Sequence, residues 1–131
     1  MRLSMFVAVL LTLGIGTGGC QSTMASRVVE QSQSGSSIEL RVGQELQVKL
    51  RYTAGTGYVW EASDNDGQVL QQVGTPRNVP DDPGVIGGTG TQVDTFRAAG
   101  TGTVELKMVY RRPWETDVAP AKTFQVSVSV K

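Results

Sequence analysis

Two hydrophobic regimes divide the chain. Leu3 to Leu13 is one largely apolar run, whereas from Ser37 onward apolar and polar residues alternate with period two. In residues 44–52, Leu46, Val48, Leu50 and Tyr52 share one face and Glu45, Gln47, Lys49 and Arg51 the other. Residues 103–111 repeat the pattern, with Val104, Leu106, Met108 and Tyr110 inside and Glu105, Lys107 and Val109 outside. Residues 122–130 do so again through Phe124, Val126, Val128 and Val130. Successive side chains of an extended chain point to opposite faces, so this alternation predicts half-buried strands. Weaker patterns predict further strands at 38–42, 58–62, 69–73 and 92–98. Between them lie turn-forming residues: Val42-Gly43, Asn65-Asp66-Gly67, Ala99-Gly100-Thr101-Gly102 and Val118-Ala119-Pro120. No segment carries helical spacing. Seven to eight short strands with turns between them predict an all-β domain, an immunoglobulin-like antiparallel β-sandwich. The Cys…Trp…Cys pattern of antibody domains is absent, so only the architecture follows.

The apolar run of 11 residues is too short to cross roughly 30 Å of hydrocarbon as a helix. Preceded by Met1-Arg2, it fits the h-region of a secretory signal peptide. The mostly small residues Gly14 to Gly19 then lead to Cys20, the single cysteine. This stretch resembles a bacterial lipobox, which implies a lipoprotein-type signal peptide over 1–19 and lipidation of Cys20. Thr17 stands where that pattern usually has Leu; the alternative is ordinary cleavage after a small residue, leaving an incidental Cys. Gln21 in place of Asp implies outer-membrane sorting in a Gram-negative host. Either way the chain is expected to be exported, as an outer-membrane lipoprotein facing the periplasm or at the cell surface. Residues 20–36 are rich in Ser and Gln and read as a flexible tether with a reach of roughly 20 Å, with a short edge strand around Arg27 to Gln31. The folded domain is expected over 37–131.

Composition removes whole classes of function. The 131 residues hold 12 Lys+Arg, 12 Asp+Glu, one Cys and no His. Without His there is no imidazole base and no His-ligated metal; one Cys allows no intrachain disulfide and no Cys-rich zinc site. Zero formal charge argues against a nucleic-acid partner. No cofactor or metal is expected. An enzyme would need a carboxylate site, and the clusters Asp81-Asp82 and Asp64/Asp66 read better as turn residues.

Function is therefore sought in three unusual connections. The first is Thr53, Ala54, Gly55, Thr56 and Gly57, followed by Tyr58; Trp60 beyond it reads as core. The second is the long stretch 74–91, containing Val85-Ile86-Gly87-Gly88. No Walker lysine and no helix follow its glycines, which removes a phosphate cradle. In the third, Arg112, Pro113 and Trp114 leave a strand, and Trp and Arg are enriched at binding hot spots. The bland reading of Trp114 is a ring folded over one end of the sandwich.

Thr56-Gly57-Tyr58-Val59-Trp60, Gly87-Gly88 and Arg112-Pro113-Trp114 together resemble the chagasin family of cysteine-peptidase inhibitors, whose signature loops read NPTTGY, GxGG and RPW in that order. The resemblance covers residues 37–130. Thr53-Ala54-Gly55 replaces the family's Asn-Pro-Thr, and Val85 stands at the first Gly of the second motif. The resemblance implies reversible, non-enzymatic inhibition of papain-like cysteine peptidases by three loops that enter the active-site cleft as a wedge. The peptidase-binding residues would be Thr53, Ala54, Gly55, Thr56, Gly57 and Tyr58 at the centre, Gly87 and Gly88 on one flank, and Arg112, Pro113 and Trp114 on the other. The expected partners are the peptidase and, through Cys20, a membrane; the chain is expected to act as a monomer. The alternative is an exported binding or envelope-assembly module without inhibitory activity.

Overall fold

The computed structural model describes residues 25–63 and 67–131. The leader 1–19, Cys20 and the Asp64/Asp66 pair lie outside the described residues, as does the Asn65-Asp66 part of the predicted turn.

The described residues form β1 (Arg27–Glu30), a 3-10 turn (Gln31–Gln33), β2 (Ser37–Leu40), β3 (Glu45–Thr53), β4 (Val59–Ser63), β5 (Leu70–Gln72), β6 (Arg77–Pro80), β7 (Thr89–Ala98), β8 (Gly102–Arg111) and β9 (Lys122–Val130). They build two sheets. One runs β1-β3-β7-β5, with β6 also paired to β7; the other runs β2-β9-β8-β4. The three strongly alternating segments are the long strands β3, β8 and β9. Their apolar faces meet between the sheets: Leu46, Val48 and Leu50 on one side, Leu106, Met108, Phe124, Val126 and Val128 on the other, all at most 2% exposed. Phe96 and Trp60 belong to the same core, as do Ile38, Leu40, Leu70 and Tyr110. Each such side chain contributes about 1.5–3 kcal/mol through removal from water, so the alternation itself selects the sandwich.

Two features depart from the sequence expectation. The sheets are mixed: β1 runs parallel to β3 and β2 parallel to β9, while every other pairing is antiparallel. The chain rises along the first sheet as β1, crosses at the 3-10 turn and Gly35 (φ 89°), and descends along the second as β2. A strand that changes sheets in this way must meet two different long neighbours. The second departure follows from it. Residues 27–36, assigned by their Ser and Gln content to the tether, belong to the sandwich, because Val29 is fully buried in its core. The domain thus begins by Arg27, ten positions before Ser37.

The stretch 74–91 is also shorter as a loop than its composition suggests. β6 lies within it, and β7 begins at Thr89, in register with Thr53 of β3. Three connections therefore converge at one pole: 54–58 between β3 and β4, 81–88 between β6 and β7, and 112–121 between β8 and β9. They are loops one, two and three below.

Candidate functional site

Loop one is a tight turn on an aromatic footing. Gly55 and Gly57 have φ of 85° and 80°, the left-handed region that side-chain-bearing residues enter only with strain. The Thr56 hydroxyl donates to the Thr53 carbonyl at 2.8 Å, closing the turn. Beneath it, Tyr110 stacks between Tyr58 and Trp60, with ring centroids 5.2 and 4.9 Å away. The Tyr110 hydroxyl accepts from the Thr53 N–H at 3.1 Å, and the Trp60 indole N–H donates to the Arg51 carbonyl at 2.9 Å. Trp60 is thus a core residue, as its strand spacing predicts. Its backbone on the free edge of β4 is covered by Gln92 of β7, which accepts from the Trp60 N–H at 3.3 Å and donates to its carbonyl at 2.9 Å. One side-chain amide thereby joins the two sheets directly behind loops one and two.

Loop two is pinned at its neck. Asp81 accepts the Arg51 fork at 2.8 and 2.5 Å and the Thr89 hydroxyl at 2.8 Å, while its N–H donates to the Thr89 carbonyl at 3.0 Å. The hydrogen bonds from Arg51 and Thr89 hold the Asp81 carboxyl down to about 2. Asp82 is a turn residue, its carboxylate accepting the Gly84 N–H at 3.0 Å. Loop two touches loop one through the Ala54 N–H, which donates to the Gly88 carbonyl at 2.9 Å. The two backbones run close together here: a Cβ at Gly55 would stand in ordinary contact, 3.6 Å, with the Gly87 Cα.

Loop three closes on loop one from the opposite side. The Arg112 Nε donates to the Thr56 carbonyl at 2.8 Å, Nη1 donates to Glu115 at 2.8 Å, and the guanidinium lies 4.5 Å from the Tyr58 ring centroid. Glu115 and, to a lesser degree, Tyr58 raise the Arg112 pKa above the ordinary arginine value. Trp114 lies across Gly57: a Cβ there would stand 2.3 Å from its Cη2. Yet Trp114 remains 68% exposed. The ring does rest on an end of the sandwich, but on loop one, with most of its surface turned to solvent.

All eleven residues singled out in the sequence for peptidase binding therefore sit on three contiguous loops, with Thr53 at the β3 edge of the first. The order in space is loop two, loop one, loop three. Sequence reasoning passed over two neighbours. Val85 and Ile86 at the tip of loop two are 54% and 102% exposed, an apolar pair in water beside Gly87-Gly88. Their signal was present as two aliphatic residues inside a polar, glycine-rich loop. The supports Arg51 and Gln92 gave none, and Asp81, read with Asp82 as a turn residue, proves to be the partner of Arg51 and Thr89, since a polar residue in a strand or turn looks ordinary until its partner is known. Among the described residues, no group of three or more acidic or Cys side chains converges to hold a metal.

The model of the family described as Chagasin family peptidase inhibitor I42 matches residues 39–128. Amoebiasin-2 of Entamoeba histolytica is 22% identical over 113 residues, covering 86% of this chain and 92% of that protein. The crystal structure of a cysteine protease inhibitor from Entamoeba histolytica superposes with a TM-score of 0.73 at 20% identity, covering 83% of this chain and 98% of that one. The solution structure of amebosin gives 0.66 at 27% identity over 82% and 99%. PbICP-C, solved in complex with falcipain-2, gives 0.52 at 17% identity over 82% and 94%. The matched family model covers more than half of the chain, from within β2 to within β9, so this chain belongs to the chagasin family of peptidase inhibitors.

Proposed function

We propose that the three-loop pole is the surface with which this cysteine-peptidase inhibitor enters the cleft of a papain-like enzyme, reversibly and without chemistry of its own. The observation that carries this reading is the cross-bracing of the loops. Ala54 to Gly88 on one side, and Thr56 to Arg112 with Gly57 to Trp114 on the other, make one rigid wedge from three separate connections. Its crown is apolar where it flanks loop one, at Val85, Ile86 and Trp114.

Each property suits a cleft binder. Left-handed Gly55 and Gly57 fold the chain back on itself, so loop one offers a nucleophile no extended peptide in cleavable register. Loops already fixed on a sheet lose little ordering entropy on docking. A standard protease–inhibitor interface buries about 1,600 Å² in total, within reach of three adjacent loops. Trp114, large and solvent-facing, has the character of an anchor that gains by burial against a partner. With no His in the chain, pH dependence between about 5 and 8 belongs mainly to the peptidase. PbICP-C, of the same fold, was captured with a peptidase, falcipain-2.

The inhibitor is further proposed to be an exported lipoprotein held through Cys20, at the outer membrane facing the periplasm or at the cell surface. The lipobox resemblance supports this, and so does the direction of β1. Arg27 pairs with Leu46 at the start of β3, whereas loop one follows Thr53 at its end. A tether from Cys20 thus joins the pole opposite the loops and leaves them free.

Titration of papain with the chain from Gln21 tests the function: stoichiometric, reversible loss of activity with the inhibitor recovered uncut is expected. Undiminished turnover at micromolar inhibitor, there and with a cathepsin-like enzyme, would refute it. Incorporation of labelled fatty acid that disappears in Cys20→Ala tests the anchor.

A further inference from the structure

We infer that Arg51 and Asp81 form a positioning clamp that sets loop two against loop one for peptidase binding. Neither residue belongs to the three family motifs, and the inference rests on the reading of the loop pole given above. Arg51 sits two residues before Thr53, on the outward face of β3, in register with Thr91 of β7. Asp81 is the first residue after β6 and the entrance to loop two. The planar guanidinium meets the carboxylate with both nitrogens and adds a 3.3 Å bond to the Thr91 hydroxyl. The same carboxylate also holds Thr89, where loop two rejoins the sheet. One acidic group thus ties together the start of loop two, its end, and the stem of loop one.

As a fold-stabilising device this arrangement is poorly placed. The Arg51 and Asp81 side chains are 53% and 46% exposed, and exposed pairs add little to stability because water screens them. As a geometric device it is well placed. A bidentate fork fixes direction as well as distance, and loop two carries Gly84, Gly87 and Gly88, which leave its backbone many conformations to lose. Beyond its neck, its hydrogen-bonded link to loop one is the Ala54–Gly88 bond. Asp81 stays ionised throughout the pH range in which a cysteine peptidase works, since its carboxyl is held near 2. Without the fork, Ile86 and Val85 would sample positions from which they cannot meet the cleft together with loop one.

Inhibition constants for papain, measured with the full chain, Arg51→Gln, Asp81→Asn and the double variant, test the clamp. Each single change is expected to weaken inhibition about tenfold, and the double change by the same tenfold, because either one releases the loop. Melting temperatures should move by no more than roughly 2 °C. In a Val85→Gly/Ile86→Gly background, where loop two has lost the apolar tip the clamp would place, Arg51→Gln should cost less than about twofold. Single variants with unchanged constants overturn the clamp, as do losses that multiply to about a hundredfold in the double variant. An undiminished tenfold loss in the trimmed background overturns it too, since Arg51 would then act by direct contact. A parent chain that fails to slow papain refutes the cleft-binding reading, and the clamp falls with it; a parent that inhibits alongside an unaffected Arg51→Gln refutes the clamp alone.

Discussion

Gly57→Ala separates the strain held in loop one from the work done by Trp114. The substitution acts twice. At φ 80° an alanine enters the left-handed region, which costs roughly 1–2 kcal/mol. Its Cβ would also stand 2.3 Å from Cη2 of Trp114, so the indole must move. Because that ring is 68% exposed, it can swing into solvent at little cost to the fold. Stability should therefore fall by about the backbone strain alone, a drop in melting temperature of roughly 5–12 °C for a domain near 100 residues. Inhibition should fall by what a central tryptophan is worth, about 2 kcal/mol or more, or roughly thirtyfold. The assay pairs thermal melts with inhibition constants for papain in Gly57→Ala, Trp114→Ala and the double variant. Trp114→Ala should match the thirtyfold loss with the fold unshaken, and adding Gly57→Ala to it should weaken inhibition no further. Losses that add in the double variant would show that Gly57 binds through its own backbone and that the stacked indole is not its purpose.

Other outcomes follow from the same geometry. Gly55 at φ 85° serves a turn as well as a contact, so Gly55→Val should lose about 1–2 kcal/mol of stability whereas Gly55→Asn, tolerant of left-handed geometry, should melt near the parent; both should bind papain at least tenfold more weakly. Ile86→Asp should leave melting unchanged and weaken inhibition about tenfold or more, because it places a charge where an apolar tip meets the cleft; an unaffected constant would remove that tip from the interface. Asp94 is buried and accepts amide hydrogens from Gln72 at 3.2 Å and Gln92 at 2.9 Å, and burial raises its pKa. A raised carboxyl adds stability as pH falls through its folded value and loses it as pH rises, so Asp94→Asn should flatten the melting profile just above the ordinary carboxylate range. Asp81 works in the opposite sense: its contribution, small because water screens the exposed pair, is present above the unfolded value near 3.8 and is lost as pH falls toward about 2, equally in parent and Asp94→Asn. Parallel profiles across the upper range would contradict the assignment to Asp94.

Where one face of a strand is core and the other solvent, the pattern of residues reads directly as structure. β3, β8 and β9 were legible for this reason, each presenting an aliphatic or aromatic residue at every second position. β6 was not, because all four of its residues are exposed and it ends in Pro80, so no burial pattern marks it. β7 was predicted only from Gln92: Gly90 sits inward where the Tyr52 ring lies close against it, and Gln92 and Asp94 put polar groups on the buried face. Those two polar residues looked like breaks in the alternation; they are instead the amide that joins the sheets behind the loops and the carboxylate that holds that amide within its own sheet. β1 was legible as a short edge strand around Arg27 to Gln31, but its place in the core was not, because a single residue, Val29, secures it in a Ser- and Gln-rich segment. At the site, motif residues could be recognised one by one, but their bracing could not. The contact of Trp114 with Gly57, and the reach of Arg51 to Asp81 across 30 positions, exist only once the strands are paired.

Whether the loop pole enters the cleft is tested most directly by filling that cleft first. Binding of the labelled chain is measured to active papain and to papain whose catalytic cysteine carries an irreversible, peptide-like inhibitor spanning the subsites. Tight binding to the open enzyme, with affinity lost at least a hundredfold on the filled one, is the predicted result. Equal affinity for both would place the contact outside the cleft and contradict the wedge.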